Sequence, residues 1–320
     1  MALLERLGLT PEGLAESLGK ARVLVAGDVM LDRYWFGDVN RISPEAPVPV
    51  AKIERMEERA GGAANVARNI AGLGGQATIL SVVGDDEAAS ALTRLMQADG
   101  ITTAFSRDPA IATTIKLRVV ARQQQLIRLD FEDAPSHDAL STKLEAFARQ
   151  VADHDVVILS DYGKGALTHV ARMIEIAREA GKPVLIDPKG DDYRRYAGAT
   201  LLTPNRSEFR QVAGSWHDED TLSAKAEALR STLALDALLV TRSEEGMTLY
   251  RPGQRRHEPT QAREVFDVSG AGDTVIGTLG LAMAAGLPLE TAMSLANAAA
   301  GVVVAKLGTA VCSQAELFGL

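Results

Sequence analysis

Asp267-Val268-Ser269-Gly270-Ala271-Gly272-Asp273-Thr274, with the small-residue run Val275 to Gly286 behind it, is the stretch from which the fold can be read. Two glycines flank an alanine just ahead of a segment that reads as a helix, so backbone N–H groups there can turn unhindered toward one point beyond the helix start. The helix dipole adds partial positive charge at that point, and a transferring phosphoryl group is its natural guest. Asp273 stands beside it in the first helical turn, where a carboxylate can accept the proton of a hydroxyl attacking phosphorus. The same pattern also serves as a plain tight turn followed by a dipole-complementing acid, so this stretch alone leaves both readings open.

Composition narrows the field. The chain has 320 residues, enough to bury a large core, and its 34 Lys and Arg against 42 Asp and Glu give a formal charge of -8. No global basic field draws it to nucleic acid or acidic lipid, so an anionic ligand has to be held by a local cluster. The single cysteine, Cys312, has no disulfide partner and no metal-site companions, which fits a reducing compartment and a buried thiol. Met1 to Lys20 carries Glu5, Arg6, Glu12 and Glu16 among its leucines and reads as an amphipathic helix rather than a signal peptide. The least polar long segment, Ala292 to Ala305, is too short to span a bilayer and contains Asn297. No membrane association is expected, and the expected location is the cytoplasm.

Arg22 to Gly27 is a short β-rich run ending in glycine and then Asp28, with Asp32 close behind. Similar runs recur at Ala77 to Val83, Asp155 to Leu159, Pro183 to Ile186 and Ala237 to Val240, with helical patterns between most of them. Strand alternating with helix predicts an α/β fold with a mainly parallel sheet covered on both faces, whose ligands gather at the carboxyl ends of the strands. Asp28, Asp32, Asp85, Asp161, Asp187 and Thr241 stand at those ends.

Val48 to Ile53 and Thr113 to Phe131 break this rhythm and alternate without helices, the second as a hairpin turning near Arg122-Gln123-Gln124. Its arms put Ile115, Leu117, Val119, Ala121, Ile127, Leu129 and Phe131 on one face; Lys116, Arg118, Arg122, Arg128 and Asp130 fall on the other. A single domain over 1–320 is expected, with a small discontinuous β lid formed roughly by 34–58 and 111–131. Its greasy side needs cover, which a second copy of the chain can supply as a homodimer or the protein's own body can supply instead. Its cationic side is either merely solvated or suited to a phosphate-bearing ligand.

A second glycine cluster, Gly61-Gly62-Ala63-Ala64-Asn65 to Gly74-Gly75, opens another helix with minimal side chains. Glycine lets a ligand approach the backbone, and Asn65 offers donor and acceptor to hydroxyls; close helix packing is the competing explanation. Neither cluster is a Walker-type loop or the dinucleotide fingerprint, which argues against a dinucleotide-dependent oxidoreductase.

The two glycine clusters in this order, with Thr203-Pro204-Asn205-Arg206-Ser207-Glu208 between them, resemble the signatures and the Asn-x-x-Glu motif of the ribokinase-like (PfkB) carbohydrate kinase family. The resemblance covers nearly the whole chain and implies a ribokinase-like fold, ATP and Mg2+ as cofactors, and a monovalent cation as an optional addition. It makes Asp273 the catalytic base, and Gly270, Ala271 and Gly272 the backbone anion hole. Asn205 and Glu208 fall at the magnesium-nucleotide motif, and Thr241 to Gly246 lies where the family contacts ATP. Ser243 departs from the family's common glycine there, whereas Ser269 in place of a frequent threonine keeps the hydroxyl. Asn297 resembles a residue near the adenine pocket, with helix packing as an equal alternative.

Four further stretches resemble the branch of the family that phosphorylates a heptose 7-phosphate at O1: Gly27-Asp-Val-Met-Leu-Asp-Arg-Tyr34, Arg41-Ile-Ser-Pro-Glu-Ala-Pro-Val-Pro49, Ser160-Asp-Tyr-Gly-Lys-Gly165 and Asp187-Pro-Lys-Gly190. No His-x-Gly-His transferase motif follows, so the resemblance implies a stand-alone kinase. Such a substrate would have its hydroxyls oriented by Asp28, Asp32 and Asn65 beside Gly61 and Gly62. Its phosphate would be met from among Lys116, Arg118, Arg122, Arg128, Lys164 and Lys189. A kinase of another sugar phosphate, such as fructose 1-phosphate or tagatose 6-phosphate, shares the catalytic residues; a sugar-phosphate-binding module without turnover would be expected to lack the base or the anion hole.

Overall fold

The computed structural model describes residues 2–122, 124–262 and 264–319. In chain order its strands are β1 (Arg22–Gly27), β2 (Val29–Ile42), β3 (Pro49–Gly62), β4 (Gln76–Gly84), β5 (Thr102–Asp108), β6 (Ile115–Ala121), β7 (Gln124–Phe131), β8 (Val156–Ser160), β9 (Val184–Asp187), β10 (Leu201–Leu202), β11 (Ala237–Thr241), β12 (Met247–Arg251) and β13 (Gln254–Glu258). Nine of them form one sheet in the order β13-β12-β11-β10-β9-β8-β1-β4-β5. From β11 to β5 every neighbouring pair is parallel; the β12–β13 hairpin adds an antiparallel edge.

The strands of this sheet read as unbroken apolar runs because both faces are covered. Along β1, Val23 and Val25 enter the core beneath the helices Ala63–Gly72, Ala271–Ala284 and Leu289–Val303. Leu24 and Ala26 enter the opposite core, under His137–Gln150, Val170–Glu179 and Glu219–Thr232. The small-residue run after Asp273 has a steric purpose. A Cβ on Gly280 would come within 2.5 Å of Ile158 Cδ1, and one on Gly277 within 3.1 Å of the Val66 carbonyl oxygen, so only glycine lets this helix lie so close to the sheet and to its neighbour.

The second sheet has the order β3-β2-β6-β7, with β2 and β6 parallel and the outer pairs antiparallel. Its long strands run further inward than the expected 34–58, since β2 starts at Val29 and β3 ends at Gly62. Strict alternation fails to reveal them because Val29, Met30, Leu31 and Asp32 are all buried at the base of the sheet, while both faces open to solvent toward the tip. The hairpin turn falls where expected, with Arg122 at φ 49; Gln123, like Met1, Arg263 and Leu320, lies outside the described residues. The amphipathic N-terminus is two helices, Ala2–Leu7 and Pro11–Lys20, broken at Gly8 (φ 69) and restarted by Thr10, whose side chain accepts from the Gly13 amide. No helix among the described residues is long and apolar enough to cross a membrane.

Candidate active site

Asp273 lies in the first turn of the helix Ala271–Ala284 and is 3% exposed. Gly270, at φ 78, sets the direction of entry, and a Cβ there would come within 2.7 Å of Asn65 Nδ2. One of the three amides expected to form the anion hole is already used within the protein. The Ala271 amide donates to the Val268 carbonyl at 3.2 Å, whereas the amides of Gly272 and Asp273 have no acceptor one turn behind them.

The Asp273 carboxylate is held by two neutral donors. Asn65 Nδ2 donates to Oδ2 at 2.8 Å and the Tyr162 hydroxyl donates to Oδ1 at 2.5 Å. Burial pushes the carboxyl up to about 6 against the lowering effect of those two bonds. Tyr162, whose hydroxyl burial raises well above its ordinary value, stays a donor. It sits within the quoted Ser160 to Gly165 stretch, where the sequence marks Asp161 and Lys164 but not the tyrosine; its 111-residue separation from Asp273 leaves no local signal of the contact.

Asp28 is turned away from the expected substrate role. Its Oδ2 accepts from the Tyr162 and Lys164 amides at 2.8 and 3.0 Å, and its Oδ1 from the Ala166 amide at 2.8 Å, so it pins the loop that carries Tyr162. Below that loop Lys143, 2% exposed, donates to the Ala166 carbonyl, and burial lowers its ammonium to about 8. Asp32 pairs with Arg118, Nη1 to Oδ1 at 2.5 Å. Gly61 and Gly62 make room for protein rather than for a ligand: Cβ atoms there would meet Asp32 Oδ2 and the Asp28 carbonyl oxygen, each at 2.4 Å. Asn65 is fully buried with Oδ1 unpartnered, so it reaches Asp273 rather than open space.

The basic candidates separate by their partners. Arg122 pairs with Asp38 toward the lid tip, Arg128 with Asp130, Lys164 with Glu132, and Lys189 with Glu208. Lys116 alone of the six has no acidic partner among the described residues. It is partly buried on the same lid face as Asp32, near Arg128 and Lys164, and burial lowers its ammonium below the ordinary lysine value.

A cavity of about 850 Å³ opens on the other side of Ala271 and Gly272. Asn205, Thr241, Ser243, Gly246 and Asn297, drawn from three separate stretches of sequence, line it. Ser243 adopts φ 55, the left-handed conformation that glycine would take without cost, so the substitution keeps the backbone turn at some strain. Asn297 Nδ2 donates to the Pro259 carbonyl at 2.7 Å, which fixes its amide at the cavity wall. Asn205 and Glu208 form a capping box on the helix Arg206–Ala213 and are occupied with each other. Asp187, at the end of β9, is pushed well above the carboxylate range by burial and by the nearby Asp273 and Glu208 charges. No group of three or more His, Cys, Asp or Glu side chains arranged to hold a metal occurs among the described residues.

The family model described as "pfkB family carbohydrate kinase" matches residues 20–316. The chain is 55% identical over 305 residues to the D-beta-D-heptose 7-phosphate kinase of Bordetella bronchiseptica, covering 95% of this chain and 97% of that protein. It is 56% identical over 298 residues to the bifunctional protein HldE of Methylococcus capsulatus, covering 93% of this chain but only 63% of that protein's length. Among solved structures, a putative ribokinase from Agrobacterium tumefaciens superposes with a TM-score of 0.77 at 20% identity, covering 94% of this chain and 97% of that one. The phosphofructokinase-2 of Escherichia coli in complex with potassium gives 0.76 at 20% identity, covering 93% and 97%. The sheet order, the flanking helices and the small second sheet are thus a ribokinase-like fold.

Because burial outweighs its two hydrogen bonds, Asp273 should titrate near pH 6, about two units above an ordinary aspartate. A carbon-detected NMR titration of the side-chain carboxyl, assigned with Asp273→Asn, checks this; an inflection near pH 4 would mean that the group is solvated.

Proposed function

Because the chain belongs to the pfkB family of carbohydrate kinases, we propose that it phosphorylates O1 of D-glycero-β-D-manno-heptose 7-phosphate with ATP. The product is the 1,7-bisphosphate, made on the way to ADP-heptose and lipopolysaccharide core. The observation that carries this reading is Asp273: a buried, uncharged-donor-held carboxylate at a helix start, next to a cavity of nucleotide size. The 55% identity to a heptose 7-phosphate kinase over nearly the full length of both chains supports the choice of sugar.

In the proposed reaction Asp273 accepts the proton of the sugar hydroxyl as its oxygen bonds to the γ-phosphorus and the bond to the ADP oxygen breaks. The amides of Gly272 and Asp273 meet the charge on the transferring group. Asn205, Thr241, Ser243, Gly246 and Asn297 line the cavity that takes the nucleotide. Magnesium, when bound with the nucleotide, neutralises phosphate charge; the crowded Asp187 and Glu208 carboxylates suit an ion that takes one or two carboxylates along with phosphate and water. In this reading Lys116, with Arg128 and Lys164 beside it, receives the 7-phosphate, since Asp32 and Asp130, the acids on either side of it, are ion-paired with Arg118 and Arg128.

The proposal includes a homodimer through the lid. Met56, Ile127, Leu129 and Phe131 share the lid face opposite Asp32 and are 69%, 51%, 40% and 48% exposed, an apolar surface that a second copy would cover. A cytoplasmic location fits the one cysteine, Cys312, which is buried and unpaired.

A coupled ADP-release assay with heptose 7-phosphate should register turnover, and Asp273→Asn should lower kcat by ~10²-fold or more with little change in sugar affinity. Near-normal turnover in that variant would remove Asp273 from the role of base. Lys116→Ala should raise KM for the sugar phosphate by about tenfold or more, the worth of one charge-assisted bond, while leaving KM for ATP unchanged. An unaltered sugar KM would exclude Lys116 from phosphate binding. Light scattering at working concentration should return twice the chain mass, and Ile127→Asp with Leu129→Asp should halve it; a wild-type monomer would end the dimer proposal.

A further inference from the structure

The reacting carboxylate has one donor for each oxygen, and the two donors reach it from different parts of the chain. Asn65 arrives on the first turn of the helix Ala63–Gly72, a rigid support. Tyr162 arrives on the loop after β8, and this loop is fixed to an unusual degree. Its amides at 162, 164 and 166 all end on Asp28. Asp161 Oδ1 takes the Gly163 amide at 2.8 Å, and Asp161 Oδ2 takes the Tyr196 hydroxyl at 2.8 Å. Lys143 holds the Ala166 carbonyl from below. Three buried ionisable side chains, Asp28, Asp161 and Lys143, therefore bond to the backbone of one short segment, and that segment carries the Tyr162 hydroxyl to Asp273 Oδ1, 2.5 Å away.

Such bracing is out of proportion to a loop that only connects a strand to a helix. It fits a segment that has to hold one hydroxyl at one distance. A phenol that burial keeps protonated can donate but cannot compete with Asp273 for the proton of an incoming hydroxyl. Each carboxylate oxygen has a second lone pair, so with one donor on each oxygen the group is oriented and can still accept.

We propose that Tyr162 is the positioning residue for the base: through its hydroxyl it fixes the rotation of the Asp273 carboxylate and sets the proton affinity at which that carboxylate works. This inference rests on the reading of Asp273 as the base of a sugar kinase. Removing a donor from an ionised carboxylate favours the neutral form, so loss of the hydroxyl should raise the pH at which Asp273 loses its proton.

The test compares the full chain with Tyr162→Phe, and with 3-fluorotyrosine at position 162, whose more acidic hydroxyl is a stronger donor. In the carboxyl NMR titration, which needs no substrate, the Asp273 inflection should move up by about half a unit or more in Tyr162→Phe and down with fluorotyrosine. With heptose 7-phosphate and ATP, the acid limb of kcat/KM should move in the same directions, and kcat in Tyr162→Phe should fall about tenfold with the sugar KM nearly unchanged. In an Asp273→Asn background Tyr162→Phe should have no further effect. Superimposable titrations in all three proteins would overturn the inference, as would a kcat loss that persists in the Asp273→Asn background. If wild-type protein releases no ADP with the heptose phosphate, the assignment of substrate fails, whereas the substrate-free titration still decides the part played by Tyr162.

Discussion

The cost of taking one carboxylate out of water governs this molecule. Asp273 is dehydrated by its position between a helix start and a covered sheet edge, and what compensates it is an amide and a phenol, with no cation within pairing distance among the described residues. A guanidinium in their place would hold the acid ionised and make it a poor proton acceptor. Two neighbouring acids illustrate the difference. Asp32 is paired with the Arg118 guanidinium, and Asp28 is consumed by three backbone amides, so the first is held by a cation and the second has little acceptor capacity left. Three aspartates within one small volume have three separate duties, decided by their partners rather than by residue type.

The rest of the fold supplies the position. A helix start can present unsatisfied amides to a ligand only if the helix is held against something rigid. Glycines at 277 and 280 let Ala271–Ala284 sink onto the sheet and onto Ala63–Gly72, which carries Asn65. The cavity on the far side of Gly272 draws its lining from β11, the helix Arg206–Ala213 and the helix Leu289–Val303, three elements that share no sequence neighbourhood. The parallel sheet brings them together at the carboxyl ends of its strands, where ligands of such folds collect.

Much of this was legible in the chain. The doubly covered strands β1, β4, β8, β9 and β11 are marked by continuous apolar runs, and the helix carrying Asp273 by Gly-Ala-Gly and the small residues after it. The lid's inner ends were not legible, because burial on both sides at Val29 to Asp32 removes the period of two that identifies a strand. The contacts of Asp28 and of Gly61 and Gly62 are not legible for a related reason: an acid and a glycine pair near a site suggest a ligand, yet each also meets packing that only the tertiary arrangement creates. Tyr162 escaped because a tyrosine in a Gly-rich loop carries no pattern; its partner is chosen by topology. The Asn-x-x-Glu stretch forms a capping box, a local geometry that helix termination explains as fully as any ligand.

Asp28 is also the single residue between β1 and β2, and so between the two sheets. Its side chain faces the loop of Tyr162, and its carbonyl accepts the Ala63 amide at 3.0 Å, at the return from β3 into the helix of Asn65. The joint between the two sheets and the anchor of both donors to Asp273 are therefore the same few atoms. The small sheet and the surroundings of the buried acid thus share one attachment point, and a change at Asp28 reaches both at once.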